Sequence, residues 1–356
     1  MKRRSALRAG AALAATAVVA GCLQTEQRSV RSPPLVENRP DAVYYPSHVE
    51  GMTMVGGGTT GDYRVAAMYS YPHRFWEVVG TGTTKHSLTG EHAMHLMATV
   101  WDPDSGLVLP ETGLSIELNK AGSLVSEEVI YPMLSQPMGF HYGSNVEGDG
   151  DGAYTVDVSV GAIPGEGVRT TGDFRGKFTD PGTVSLDFEF SQQKLRETAF
   201  RTLDNAGDLG AVEPMDMEMI PNSAAPAEGD LPGEVRATAT SGDAKFVVTL
   251  LDDPPAGIDA AGPYLAVSAR TPYNRMIVPA MALSATLSRG SETVLESSLT
   301  RTLDPDLYYH YGATLDGAAV ESGDTLALTV ATPPQVARHE GYETAFLDMP
   351  SMEVGL

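Results

Sequence analysis

The chain has 356 residues, one cysteine and a formal net charge of −22, with 46 acidic against 24 basic side chains. Nucleic acid is not expected as a partner, because phosphate backbones are bound chiefly through lysine and arginine. A single cysteine can form neither an intrachain disulfide nor a cluster of thiolate metal ligands. A carboxylate-rich surface is typical of adaptation to high salt, where self-repulsion is screened, so we infer a halophilic protein and nothing about its substrate.

The first 22 residues are predicted to be a signal peptide. A basic start that includes Arg3 and Arg4 precedes an apolar stretch, residues 11–19, which is too short to span a bilayer. Small residues follow and end at Cys22, as in a lipoprotein cleavage site. We therefore predict an exported protein that is anchored to the outer face of the cytoplasmic membrane through lipidated Cys22. The paired arginines also fit twin-arginine export.

The rest of the chain has the pattern of a β protein. Residues 23–42 are polar and contain proline, which predicts a flexible tether. Short runs rich in β-branched and aromatic residues then recur between turns rich in glycine, proline and aspartate. Apolar and polar residues alternate from Tyr154 to Val160, and helical periodicity is convincing only at 192–203. We predict an all-β fold of two antiparallel immunoglobulin-like β-sandwiches in tandem, at 43–203 and 233–356, joined by a linker at 204–232.

Two segments of the chain, 95–146 and 264–315, align at a constant offset without a gap. Both contain a His-Tyr-Gly tripeptide, which begins at His141 in the first segment and at His310 in the second. This self-similarity predicts one β fold used twice. The copies differ in one respect: His95, Met97 and Met133 of the first are replaced by Tyr264, Ala266 and Thr302 in the second. We therefore expect metal ligands in the first copy, and a hydrogen-bonded rather than metal-binding His310 in the second.

The candidate metal ligands of the first copy are soft. On a strand, His95 and Met97 point to the same face, because side chains alternate with a period of two. Met133 and His141 lie on either side of a predicted strand-to-loop transition and could converge on that face. Imidazole and thioether groups suit copper better than hard cations such as calcium or magnesium. In the alternative interpretation, His95 is a hydrogen-bonded strand residue and the methionines fill the core.

Two further residues, Glu91 and His92, are close enough in sequence to add an acidic or a second nitrogen ligand, at lower rank. Of three other histidines, only His73 is a candidate metal ligand, and packing against aromatic residues is favoured for it. His73 lies among aromatic residues that are predicted to pack on a sheet edge. His48 and His86 have no neighbours in the sequence that suggest a site.

Three short elements occur in order: His-Leu-Met at 95–97, Tyr-Pro-Met at 131–133, and His-Tyr-Gly-Ser-Asn-Val at 141–146. In this order they resemble the iron transport-associated periplasmic lipoproteins that bind copper. The resemblance covers roughly residues 91–190. It implies an immunoglobulin-like homodimer that displays a copper site and assists the uptake of iron through a partner permease in the membrane.

The resemblance also implies a ligand set. The copper ligands of the family fall on His95, Met133 and His141, and Met97 stands where the family has a glutamate, which should favour Cu(I). A later histidine of the family has no counterpart in the first copy, but His339 follows an arginine at the corresponding place in the second. The site could therefore be completed by His339 or by a neighbouring molecule, and the sequence leaves open whether it holds copper or iron.

The predicted function is that of a metal-binding lipoprotein and not of an enzyme. The sequence contains no nucleophile elbow, phosphate loop or dinucleotide fingerprint. The alternative is a structural or adhesive surface protein, in which the sandwiches are spacers and the histidines lie in the cores. A solute-binding component for a non-metal ligand is a weaker third possibility.

Overall fold

A computed structural model describes residues 31–315 and 319–356, so the predicted signal peptide and Cys22 lie outside the described residues. The described chain is almost entirely β-structure, and the predicted all-β fold class is confirmed. One α-helix, α1 (Gln192–Glu197), and two short 3₁₀ segments, Gly172–Phe174 and Glu228–Asp230, are its helical elements. None of these helices is long and apolar enough to cross a membrane.

The strands fall into two successive groups. The strands of the first group are β1 (His48–Glu50), β2 (Thr53–Thr60), β3 (Tyr63–Ser70), β4 (Phe75–Val79), β5 (Gly82–His86), β6 (His92–Trp101), β7 (Leu114–Lys120), β8 (Ser123–Ser135), β9 (Gly139–Glu147), β10 (Gly152–Val160), β11 (Val168–Thr170), β12 (Gly182–Phe190) and β13 (Phe200–Thr202). Those of the second group are β14 (Glu234–Ser241), β15 (Ala244–Leu251), β16 (Tyr264–Arg270), β17 (Ala282–Arg289), β18 (Glu292–Asp304), β19 (Tyr308–Thr314), β20 (Thr325–Thr332), β21 (Ala337–Arg338) and β22 (Met352–Gly355).

Alternation of apolar and polar residues sets which face of each strand is buried. In β10 the side chains of Val156, Val158 and Val160 are buried, whereas the intervening polar residues are partly exposed. The neighbouring strand β12 alternates in the same way and pairs with β10 along its whole length. Each strand therefore contributes one apolar face to a core and one polar face to solvent.

The two large sheets have the same strand order. The first runs β12-β10-β7-β8-β9-β6-β3-β2, and the second runs β22-β20-β17-β18-β19-β16-β15-β14. In each sheet a strand of 13 residues, β8 or β18, pairs with different neighbours along its two halves. The first half of β8 pairs with β7 and its last residues pair with β9, so this strand connects the two layers of a sandwich.

Two short parallel pairings connect the groups. Strand β21 pairs with β8 of the first sheet, where Ala337 lies opposite Met133 and Arg338 opposite Leu134. Conversely, strand β11 of the first group pairs with β18 of the second sheet, also in parallel. All other strand pairs in the described residues are antiparallel, so the predicted antiparallel topology holds within each sheet. The crossing of β21 brings the residue after it, His339, to the first sheet.

The helical prediction for 192–203 is too long. Helix α1 begins after Ser191, whose side chain accepts a hydrogen bond from the Lys194 backbone N–H, and it ends at Glu197. Residues Phe200–Thr202 instead form β13, which pairs with β1. At Thr198 the backbone has left the helical conformation, with φ of −56° and ψ of 135°, so the helix ends before the residues that form this pairing.

Burial predicts the cost of truncating apolar residues on these strands. Leu118 on β7 is fully buried, whereas Leu124 on β8 is 55% exposed. We expect Leu118→Ala to lower the free energy of unfolding by about 2–5 kcal/mol, because it leaves a cavity in the core. The matched Leu124→Ala change should alter it by less than about 0.5 kcal/mol. Urea unfolding followed by circular dichroism measures both, and equal losses would contradict the assigned core.

Candidate metal centre

His95 is the most constrained residue of the candidate site. It lies on β6 and is fully buried, and its Nδ1 is 2.9 Å from the side-chain oxygen of Asn145. The amide nitrogen of Asn145 donates to the carbonyl oxygen of His73, which fixes the orientation of the amide. Nδ1 of His95 is therefore the protonated nitrogen. Its Nε2 carries a lone pair, is buried and has no hydrogen-bond partner.

Two further imidazoles share this arrangement. In His141 of β9, Nδ1 donates to the carbonyl oxygen of Gly139 at 3.1 Å, and in His73 it donates to that of Tyr71 at 3.0 Å. Their Nε2 atoms are buried without a hydrogen-bond partner. Backbone carbonyl groups thus hold both rings in the tautomer that leaves Nε2 available to a metal ion.

His339 reaches the cluster from the far end of the chain. Its backbone N–H donates to the carbonyl oxygen of Leu134 at 3.1 Å, which continues the pairing of β21 with β8. Its Nε2 lies 3.3 Å from the sulfur of Met133. The preceding Arg338 is fully buried and donates to backbone carbonyl groups, including that of Pro334, which fixes the position of the segment.

Each of the four rings contacts at least one of the others, and His339 contacts all three. Ring centroids are 4.0 Å apart for His73 and His95, 4.7 Å for His73 and His339, and 5.2 Å for His141 and His339. One nitrogen each of His73, His95 and His339 lies within 4.8 Å of the others, a spacing that a single metal ion can bridge. The thioether of Met133 borders the same group. The arrangement is a nitrogen-rich site with one soft sulfur, which suits copper.

Gly143 makes room for this cluster. A Cβ atom at Gly143 would lie 2.8 Å from Nε2 of His95 and 3.2 Å from the sulfur of Met133. The backbone of β9 therefore passes directly against both donor atoms. Glycine is required at this position of the His-Tyr-Gly tripeptide, since any side chain would occupy the place where the donors meet.

Burial keeps the imidazoles neutral. It lowers the pKa of His141 to about 4, and it is the largest cause of the lowered pKa of His73. The pKa values of His95 and His339 lie well below their ordinary value, because burial and the neighbouring imidazoles both oppose protonation. Neutral imidazole is the form that binds metal ions, so the site is prepared for a cation at neutral pH.

The predicted ligands are not all brought together. His95, Met133, His141 and His339 lie in the cluster. Met97 is buried on the same face of β6 as His95, but it packs in an apolar group with Met68, Trp101 and others, and it borders the adjoining cavity. Its role as a metal ligand therefore remains a prediction from the sequence.

Glu91 and His92 lie apart from the cluster. Glu91 is exposed, and His92 accepts a hydrogen bond from the Thr89 backbone N–H and lines a separate cavity. His73, which was expected to pack as part of an aromatic cluster, belongs to the group of imidazoles instead. From the sequence this possibility ranked below aromatic packing, because His73 approaches only when β3 pairs with β6 and sets Ser70 opposite His95.

The aligned positions of the second sheet form a different structure. The hydroxyl of Tyr264 lies 3.0 Å from Nε2 of His310. Arg169 donates to that hydroxyl at 3.1 Å and to the hydroxyl of Thr302 at 3.2 Å. A Cβ atom at Gly312 would lie 1.8 Å from the tyrosine oxygen, so the ring fills the space beside the glycine. Hydrogen bonds and a guanidinium group thus occupy the place that corresponds to the imidazole cluster.

Comparisons with known proteins are sparse. A family model described as a domain of unknown function, DUF7350, matches residues 229–355, and no curated protein matches the chain. Among solved structures, a copper-bound variant of FetP from uropathogenic Escherichia coli is 24% identical, covering 39% of this chain and 97% of its own, with a TM-score of 0.32.

A copper-bound variant of Campylobacter jejuni P19 is 20% identical, covering 40% of this chain and 97% of its own, with a TM-score of 0.30. FetP as isolated is also 20% identical, with 40% and 96% coverage and a TM-score of 0.30. The copper named for these structures is a property of those proteins. At these scores the likeness assigns no function to this chain, and the site has to be judged by its own geometry.

The lowered pKa values predict a pH dependence for the metal-free protein. A histidine that is neutral when folded gains a proton below about pH 6.5 when the chain unfolds. Stability therefore falls as the pH drops from about 6.5 towards the folded pKa, which is about 4 for His141. Between about pH 6.5 and about pH 4 we expect the free energy of unfolding to fall by about 3 kcal/mol less in His141→Gln than in the unmodified chain. Urea unfolding at a series of pH values measures it, and an unchanged pH slope would contradict the assignment.

The close approach at Gly143 gives a second prediction. Gly143→Ala would place a methyl group against His95 and Met133, and we expect it to weaken copper binding by at least about tenfold. Gly90→Ala is the matched control, because a Cβ atom there would meet nothing within 4 Å. Competition titrations with a Cu(I) chelator measure both affinities. Equal affinities in the two variants would show that the donors do not meet beside Gly143.

Proposed function

We propose that the protein is a copper-binding protein, with the ion held by the imidazoles of His95, His141 and His339 and the thioether of Met133. His73 is the fourth imidazole of the site. One observation carries this proposal: Nε2 of His73, His95 and His141 is buried in each ring without a hydrogen-bond partner, and one nitrogen of His339 lies within 4.8 Å of one nitrogen each of His73 and His95. Buried polar atoms without partners are costly, and a shared cation would satisfy all of them together.

The donor set favours copper, and Cu(I) in particular. Neutral imidazole and thioether groups are borderline-to-soft ligands, and the described site contains no carboxylate among them. Met97 would add a second thioether if it turned towards the ion, in the position where the resembling family has a glutamate. Iron is the alternative occupant, but it commonly takes oxygen ligands along with imidazole.

We infer that the second sheet is a diverged copy of the first and that it completes the metal site. The equal strand order and the reciprocal crossings of β11 and β21 support this inference. The resembling family is expected to use a homodimer, whereas here His339 comes from the same chain. The homodimer that the resemblance implies would be a further assembly, since one chain contains every ligand that we propose.

The physiological role that we propose is support of iron acquisition. Copper bound at the outer face of the membrane could exchange electrons with iron before a permease takes the iron up. The lipid anchor at Cys22, the export and the membrane permease are parts of this proposal that rest on the sequence and its resemblance alone. A structural or adhesive surface protein, with the histidines as core residues, is the alternative that the metal analysis must exclude.

Metal analysis of the purified chain tests the proposal. We expect one copper ion per chain, and we expect the ion to be lost in the His95→Ala/His141→Ala variant and in His339→Ala, because each removes buried nitrogen donors. His86→Ala is the control, since His86 pairs with Glu77 at the partly exposed edge of the sheet. Unchanged stability and no copper or iron uptake in the unmodified chain would support the spacer function instead.

A further inference from the structure

A second group of ionisable side chains borders the imidazole cluster. A cavity of about 90 Å³ opens beside it, lined among others by His48, Glu50, His73 and His339. It has room for an ion and a few water molecules. His73 contributes to both places, since its Nε2 faces the imidazole cluster and its other edge faces Glu50.

No group of the described chain donates a hydrogen bond to the carboxylate of Glu50. Its side chain is only 10% exposed, and both carboxylate oxygens are buried without a hydrogen-bond partner. The nearby Arg74 does not supply one, because its guanidinium is paired with Glu340 at 2.7 Å. A buried carboxylate in this state is strongly destabilised unless a cation or a proton compensates it.

The imidazole next to Glu50 has its own constraint. The hydroxyl of Ser47 donates to Glu340 at 3.0 Å, so it can only accept from Nδ1 of His48, which lies 2.9 Å away. Nδ1 of His48 is therefore the protonated nitrogen. Its Nε2 points at a carboxylate oxygen of Glu50 from 3.4 Å. With a neutral imidazole, two lone pairs face each other at this distance, and a cation between or beside them would relieve the repulsion.

His73 adds no proton to this pair. Its Nδ1 lies 3.8 Å from the second carboxylate oxygen of Glu50, beyond hydrogen-bond distance, and donates to the carbonyl oxygen of Tyr71 instead. The carboxylate thus lies between two imidazoles and accepts a hydrogen bond from neither.

We propose that Glu50 and His48 form a second cation site, next to the copper site, for a divalent first-row transition ion. The carboxylate and one imidazole nitrogen are the protein ligands, and water in the cavity completes the coordination. These donors are harder than the imidazole and thioether set of the first site, so the two sites select different ions. The second site stands on its own residues and does not require the first to bind copper.

Cobalt titration tests this site. The purified full chain is first loaded with Cu(I), which is colourless, and then titrated with Co²⁺, whose visible absorption reports nitrogen and oxygen ligands. We expect one Co²⁺ per chain, and at least about tenfold weaker Co²⁺ binding in Glu50→Gln with the copper content unchanged. Glu77→Gln is the matched control, because Glu77 also lies beside a histidine, His86, but is a third exposed. It should bind Co²⁺ as the unmodified chain does.

The outcomes separate the two proposals. If the unmodified chain takes up no copper, the same titration is run on the His95→Ala/His141→Ala variant. Co²⁺ binding that still depends on Glu50 would then support the second site while the copper function fails. No Co²⁺ absorption, or equal absorption in Glu50→Gln, overturns the second site. Circular dichroism of each variant shows that it is folded.

Discussion

The parallel pairing of β21 with β8 is the constraint on which the candidate metal centre depends. It aligns Ala337 with Met133 and lets the His339 backbone N–H bond to the Leu134 carbonyl, at a sequence separation of more than two hundred residues. The buried guanidinium of Arg338 holds the following segment through backbone carbonyl groups, without a carboxylate partner. Without this crossing, the first sheet would present His73, His95 and His141, but not the ring that lies beside the sulfur.

Buried polar groups need partners, and the two sheets satisfy this requirement in different ways. In the first, carbonyl and amide oxygens accept hydrogen bonds from Nδ1 of three imidazoles. The Nε2 atom of each ring therefore keeps its lone pair, which is available to a cation. In the second, Tyr264, Thr302 and His310 are hydrogen-bonded, and the guanidinium of Arg169 brings a fixed positive charge. One topology thus supports an open donor cluster in one half and a closed polar network in the other.

The cavity beside the imidazole cluster extends the same principle. His73 joins the two regions, and the orphan carboxylate of Glu50 lies on its far side. A negative charge there stabilises a nearby cation through a medium of low dielectric. The chain is strongly acidic throughout, but this carboxylate differs from those on the surface, because it is removed from water and from counter-ions.

The sequence by itself determined the fold class and half of the candidate site. The alternation in runs such as Tyr154–Val160 requires strands, and the gapless repeat predicted one topology used twice, because side-chain period and turn chemistry are local properties. His95, Met133 and His141 could be found from local motifs. The sequence left open whether His339 or a neighbouring molecule completes the site, and that choice, like the contributions of His73 and Glu50, was decided only by tertiary structure. These residues meet through strand pairings between distant segments, and neither period nor motif encodes which sheet edge a short strand such as β21 will join.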